Sequence, residues 1–258
     1  MPDNLAAPPP SLIPPVARIS RSDLHAALRA GLDDFRAAPF FGIAFSLVYV
    51  LGGLALLAGF LLIGQSWLFI PVALGFPLLA PFAATGLYEV SRRREQGAPL
   101  TWAAVAGCVF AQRDRQIPSM AMVIMLAFMF WVFVAHTIFA LFFGLQPITS
   151  SGAAMLLSGP GLLMLATGSL IGGAMAAVMF ALTVIALPLL LDREVDFITA
   201  MITSFGAVRE NFAVMSIWAA LIAGLLFLAM TPVFLGLFAV LPVLGHASWH
   251  IYRKVLPG

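Results

Sequence analysis

From residue 40 onward the chain is built of long apolar runs, and its charged positions are confined to the gaps between them and the end of the chain. The runs cover 40–63, 67–88, 120–143, 162–190, 212–230 and 233–251. Each is near or beyond the roughly 20 residues that a helix needs to cross the hydrocarbon core of a bilayer. The pattern therefore predicts an all-α, polytopic bundle of six transmembrane spans. The first two runs are separated only by "GQSW" and form a hairpin, and the last two are joined by little more than Thr231 and Pro232. The fourth run is overlong, so it must tilt, kink near Pro188 or emerge from the membrane.

The gaps have a pattern of their own. Ser20 to Asp23 reads as a capping box, after which Leu24, Leu28, Leu32 and Phe35 share one helical face, with Arg29, Asp33, Asp34 and Arg36 elsewhere. A similar stripe, Val195, Ile198, Ile202 and Phe205, precedes span five, with Asp192, Glu194 and Asp196 in its first turns, where acids suit the positive helix end. Segment 100–118 is apolar nearly all round until Gln112. All three are expected to lie along the membrane interface. The order "juxtamembrane helix, then two spans" occurs three times and suggests a parallel three-fold repeat. Residues 1–17, with prolines at 8, 9, 10, 14 and 15, are expected to be a disordered tail, leaving 18–258 as a single transmembrane domain.

Composition supports this reading. Apolar types make up 62% of the 258 residues and charged types 9%, which is too little charge to solvate a soluble fold. The 13 Lys and Arg residues all fall on one side of the predicted membrane: before span one, between two and three, between four and five, and after six. Basic residues near span ends set orientation, so both termini are expected in the cytoplasm. A net charge of +2, with acids beside every basic cluster, gives no face for nucleic acid. Cys108 is the only cysteine, so no intrachain disulfide or thiolate cluster can be built.

Candidate chemistry is sparse. His136 is the only titratable residue clearly inside a span. It is either satisfied by a neighbouring helix or has a proton, ligand or haem role. His246 and His250, four apart, share a helix face and could chelate a metal or line a pocket, although a metal would need a third ligand such as Glu89. The same stretch carries Trp249, Tyr252, Arg253 and Lys254, the composition of an interfacial aromatic belt with basic anchors. A haem held between His136 and His246 would need both at one depth, whereas the topology puts them at opposite ends. Gly168, Gly172 and Ala176 form a small-residue stripe suited to close helix packing, within the chain or between copies. Prolines in spans two, four and six bend helices in a packed bundle or open a path through it. No nucleotide-binding loop, serine-hydrolase elbow or zinc-protease motif occurs, so no catalytic residue, metal or cofactor is assigned.

Three stretches, 18–53, 81–97 ("PFAATGLYEVSRRREQG") and 241–255 ("LPVLGHASWHIYRKV"), together resemble the DUF2189 group of predicted bacterial integral membrane proteins. The resemblance implies an inner-membrane location. Some members of that group carry a cytochrome c oxidase-related label, but no catalytic residue transfers from it, and this chain lacks the intramembrane histidine cluster of an oxidase centre. The expected function is an accessory or interaction component of a membrane complex, respiratory or other, with lipid and another membrane protein or a second copy as partners. The alternative is a small-molecule or ion carrier using the proline-bent spans, with His136 and His246 near the two ends of its path.

Overall fold

A computed structural model describes residues 13–58, 69–144 and 152–257. Among these residues every regular element is a helix. The helices are α1 (Arg21–Ala37), α2 (Pro39–Ala58), α3 (Phe69–Glu95), α4 (Trp102–Ala111), α5 (Ile117–Phe143), α6 (Gly152–Leu156), α7 (Gly159–Thr183), α8 (Ala186–Asp192), α9 (Phe197–Glu210), α10 (Phe212–Met230) and α11 (Leu237–Val255). Three stretches are long and apolar enough to cross a membrane: α5, α7 continued through α8, and α10. The pair α1 and α2, bent by 100°, adds a fourth only if it counts as one span. The expected six thus become three or four candidates among the described residues. Much of the first inter-run connection, and the side chains of the first turns of α3, lie outside the description.

The bend has a local cause. Pro39 lacks the N–H needed to continue α1 and disfavours helical backbone in the preceding residue. Ala38 accordingly sits at φ −138°, ψ 55°, and α2 begins at the proline. The expected capping box is present: Ser20 accepts from the Asp23 backbone N–H, and the Asp23 side chain accepts from Ser20. Leu24 is buried and Leu28 packs against the core, but Asp34 was misplaced on the polar face, since it is only 6% exposed. The buried line is Leu24, Ala27, Gly31 and Asp34, a seam of small residues rather than of the largest apolar ones.

That seam lies on α11, the helix at the centre of the fold, which also packs against α2, α3, α8 and α10. Gly31 is essential to the approach, because a Cβ there would come within 2.6 Å of the Ala247 backbone nitrogen. Pro242, buried inside α11, fits against Gly42 of α2, where an added Cβ would lie 2.8 Å from the proline ring. This proline is a packing element. The extended residues before α1 are also docked: Ile13 and Val16 pack on the core, and the Ala17 N–H donates to the Val255 carbonyl at 2.8 Å. The proposed disordered tail is therefore corrected for residues 13–17, which are held; residues 1–12 lie outside the description. Asn211 completes the clasp by accepting from the Ile19 N–H at 2.8 Å and donating to the Ala17 carbonyl at 3.0 Å.

The overlong fourth run breaks between α7 and α8 at Val184 and Ile185, one turn before Pro188. A proline ring clashes with the carbonyl four residues earlier, which is that of Val184. Ser204 of α9 fills the opening: its hydroxyl donates to the Ala181 carbonyl at 2.7 Å and accepts from the Ile185 N–H at 3.1 Å. Helix α9 docks through Ala200, Ser204 and Ala207, so Ile198, Ile202 and Phe205 point outward, at 56%, 67% and 51% exposure. The small-residue stripe on α7 is divided. Gly172 receives the Trp131 ring, whereas among the described residues nothing lies within 4 Å of a Cβ added at Gly168, and Ala176 is exposed, so the described packing uses only part of the stripe.

Removing the inserted hydroxyl is a direct test of this break. Ser204→Ala should leave two buried backbone groups without a partner and lower stability by about 1–3 kcal/mol. Thermal unfolding of the detergent-purified protein would register the loss, and an unchanged midpoint would show that the insertion contributes nothing.

Candidate functional site: a buried polar junction

The charged end of α3 does not fray into solvent. Its last turns run alongside α11 and under α1, where Glu89 and Ser91 are fully buried while Arg94 and Glu95 stay partly exposed. Burying charge in such a place is costly unless every group is paired, and here the pairs are present. Asp34 of α1 accepts from Arg94 Nε at 2.7 Å and meets His250 Nε2 at 2.8 Å, so one carboxylate joins α1, α3 and α11. Burial raises its pKa, but hydrogen bonds from His250, Ser91 and Arg94 outweigh that and hold the Asp34 carboxyl down at about 2.

Next to this hub, Ser91 Oγ lies 2.8 Å from His246 Nδ1, and His246 is fully buried. Its Nε2 has no hydrogen-bond partner among the described residues. Glu89, also fully buried, is flanked by Arg92 and Arg93 with contacts of 2.7 and 2.6 Å. Glu95 accepts from Trp249 Nε1 at 3.0 Å and Arg253 Nε at 3.1 Å, while Tyr252 donates to Asp192 at 2.6 Å. Lys254 reaches Asp23 at 2.8 Å, and this bond, with those from Ser20, holds the Asp23 carboxyl well below the usual carboxylate range.

The junction gives the predicted site residues new places. His246 and His250 come together as expected from their spacing, but each spends a ring nitrogen on a different partner, Ser91 or Asp34. Among the described residues no group of three or more His, Cys, Asp or Glu is arranged to hold a metal ion. Trp249 and Tyr252 are 1% and 0% exposed, so they are interior residues and not an aromatic belt. Arg253 and Lys254 serve as ion-pair partners of Glu95 and Asp23. Tertiary packing supplied acids to each, which the local sequence 249–254 could not reveal. His136 stands apart: it is exposed on α5, with Nδ1 2.8 Å from its own Val132 carbonyl, and among the described residues no hydrogen bond joins it to a second helix.

Residues 68–192 match a family described as "Predicted integral membrane protein (DUF2189)". The match covers just under half of the chain. Of the three stretches carrying the resemblance, only 81–97 falls inside it; those at 18–53 and 241–255 lie outside. No curated protein and no solved structure matches the chain. The DUF2189 segment contributes Glu89, Ser91, Arg94, Glu95 and Asp192 to the junction, and the flanking helices contribute Asp34, His246, Trp249, His250 and Tyr252. The junction therefore clamps the DUF2189 segment to the chain on either side of it. Sequence reading named Glu89 as a possible third metal ligand and Arg94 as one of the orienting cations, but gave Ser91 and Glu95 no role of their own. The available clue was the Leu24, Ala27, Gly31, Asp34 spacing, which places Asp34 on a helix face otherwise suited to close packing.

Asp34→Ala should leave the partly exposed Arg94 and the half-buried His250 without their anion and destabilise the fold by about 1–3 kcal/mol. The linkage has a definite sign. The Asp34 pKa is depressed from 3.8 to about 2 in the folded chain, so its stabilisation is present above pH 4 and disappears as pH falls through 2. Unfolding midpoints of wild type and Asp34→Ala in detergent should differ at neutral pH and converge below pH 2. A constant difference down to that pH would exclude the assigned role.

Proposed function

We propose that this integral membrane protein crosses the bacterial inner membrane six times, keeps both termini in the cytoplasm and acts as an accessory component of a larger membrane assembly. It has no catalytic centre of its own in this reading. Several features support the topology. Helices α1, α3, α8 and α11 end in charged turns; the ion pairs Arg94 to Asp34 and Arg253 to Asp192 join these turns, and Lys254 reaches Asp23 in the first turn of α1. Such a cluster belongs at one aqueous face. The 100° turn from α1 into α2 suits a helix lying along that face before the chain enters lipid. The outward stripe of Ile198, Ile202 and Phe205 gives α9 the same character.

The observation that carries the accessory role is His136. An ionisable side chain within a membrane span almost always faces protein or water, because lipid offers nothing to its polar atoms. Here it is on the outside of α5, a candidate span of 27 residues, beside Thr137, which is also exposed. A partner helix covering this face would resolve the mismatch. A respiratory complex is the assembly to which the oxidase-related label of the family points.

Two measurements test the reading. Gentle extraction followed by native electrophoresis and mass spectrometry should show the protein within a larger complex. His136→Phe should weaken that association by about 3- to 30-fold, the worth of one interhelical polar contact of roughly 0.6–2 kcal/mol. A monomeric wild type, or a variant that assembles equally well, would rule out the role. For topology, single cysteines replacing Gln96 and Pro257 in a Cys108→Ser background should react only with reagent on the cytoplasmic side, and one replacing Thr231 only from the opposite side. Labelling of residues 96 and 257 from different compartments would overturn the six-span arrangement.

A further inference from the structure

Helix α2 approaches its neighbours closely at two points. A Cβ added at Gly42 would lie 2.8 Å from the Pro242 ring of α11, and one added at Gly53 would lie 2.7 Å from the Phe234 ring. Those glycines are roughly 16 Å apart along the helix. Between them the packing opens into a cavity of about 140 Å³, bounded by α2, α3, α10 and α11. Three hydroxyl groups line it: those of Ser46 and Tyr49 from α2 and of Ser248 from α11. The rest of the wall is apolar, with Phe45, Ala84 and Leu241 among its residues. Toward α10, Val50, Tyr49, Leu226 and Ala229 belong to one packed cluster.

The three hydroxyls are not equivalent. Ser248 donates to the Leu244 carbonyl at 2.8 Å and Tyr49 donates to the Ala80 carbonyl at 3.0 Å, so each has spent its proton and keeps oxygen lone pairs that accept. Ser46 is fully buried, and its Oγ has no hydrogen-bond partner among the described residues. Other buried or half-buried helical hydroxyls return the proton to the carbonyl four residues back, as Thr85 does to Pro81 and Thr203 does to Thr199, both at 2.8 Å. Ser46 makes no such bond, so it has both a proton to give and lone pairs to offer. A buried hydroxyl without a partner is costly. The complement to this wall is a small molecule that accepts one hydrogen bond and donates others.

Water has that chemistry. It occupies internal sites where roughly two to four polar groups hold it, and it stays out of cavities whose walls are wholly apolar. Here Ser46 and Tyr49 are neighbours on one face of α2, and Ser248 adds a third group from α11. At roughly 30 Å³ per molecule the volume admits several waters. A hydrocarbon chain would cover Phe45 and Leu241 but leave the Ser46 proton unanswered. We propose that this cavity is an internal hydration site. Water accepts the Ser46 proton and donates to the Ser248 and Tyr49 oxygens, which joins α2 to α11 by a polar bridge between the two close glycine contacts. The proposal rests on packing within the chain, and so is independent of the six-span topology and of the accessory role.

The test is X-ray radiolysis of the full chain in detergent, with the solvent exchanged beforehand for heavy-oxygen water. Hydroxyl radicals formed from bound water oxidise the side chains around them, and peptide mass spectrometry locates the added oxygen. Phe45 and Tyr49 should take up label faster than Met120 and Met215, which are fully buried in close packing and intrinsically more reactive. Because Phe45 and Tyr49 are themselves only half-buried, dependence on Ser46 separates internal water from water outside. Ser46→Leu, which fills the cavity, should abolish the excess uptake. Should that variant not fold, Ser46→Ala serves instead, since it removes one anchor with little change of shape. Loss of that hydrogen bond should reduce uptake at both residues about threefold and lower the unfolding midpoint. A dry cavity gives the opposite sign, because deleting an unanswered hydroxyl relieves its burial cost and raises the midpoint. Uptake no faster than at the two methionines, uptake unaffected by Ser46→Ala, or a raised midpoint in that variant would each overturn the proposal.

Discussion

The fold depends on a carboxylate that cannot reach bulk water. Asp34 sits where α1 crosses α11, at a point so close that only Gly31 and Ala27 allow the backbones to approach. Once that crossing forms, the carboxylate must be answered by charge, and Arg94 and His250 answer it from two other segments. Close packing and ion pairing thus enforce each other: small residues bring the helices together, and the charge they enclose determines which neighbours can complete the site. The register of α1, α3 and α11 follows from that one requirement.

The same rule operates elsewhere on a smaller scale. Proline opens the helical ladder between α7 and α8, and Ser204 closes it from α9. Asn211 ties residues 17 and 19 to the start of α10. Arg115 holds the start of α5 to the end of α8 through the Leu191 and Arg193 carbonyls and the Glu194 carboxylate. In each case a polar side chain satisfies groups that a low-dielectric surrounding would otherwise leave at high cost. The result is a chain whose polar atoms concentrate at one end of the helices, while the outward surfaces of α5, α7 and α10 remain apolar.

Against that background two polar groups stand out, beside Trp218 Nε1 and His246 Nε2, which have no hydrogen-bond partner among the described residues. His136 is a polar side chain on an apolar outer surface, and Ser46 is a polar atom in an apolar interior. They lie on different helices, α5 and α2. Neither belongs to the junction around Asp34, which is internally satisfied apart from His246 Nε2 and is best understood as structural.

Sequence by itself determined the solvent and the element type. Long apolar runs, clustered cations, the Ser20 capping box and the break near Pro188 are local consequences of hydropathy and backbone chemistry, and they were legible without tertiary contacts. The match over residues 68–192 agrees with the membrane reading. Tertiary structure alone decided which face of each helix turns inward. The apolar stripe on α9 points outward because a smaller face, Ala200, Ser204 and Ala207, packs more closely. Trp249, Tyr252, Arg253 and Lys254, which have the composition of an interfacial anchor, are drawn inside or paired because distant acids at 95, 192 and 23 come to meet them. Hydropathy measures each residue's preference for water, whereas burial of a charge depends on partners 60 to more than 200 positions away, and those distances close only when the chain folds.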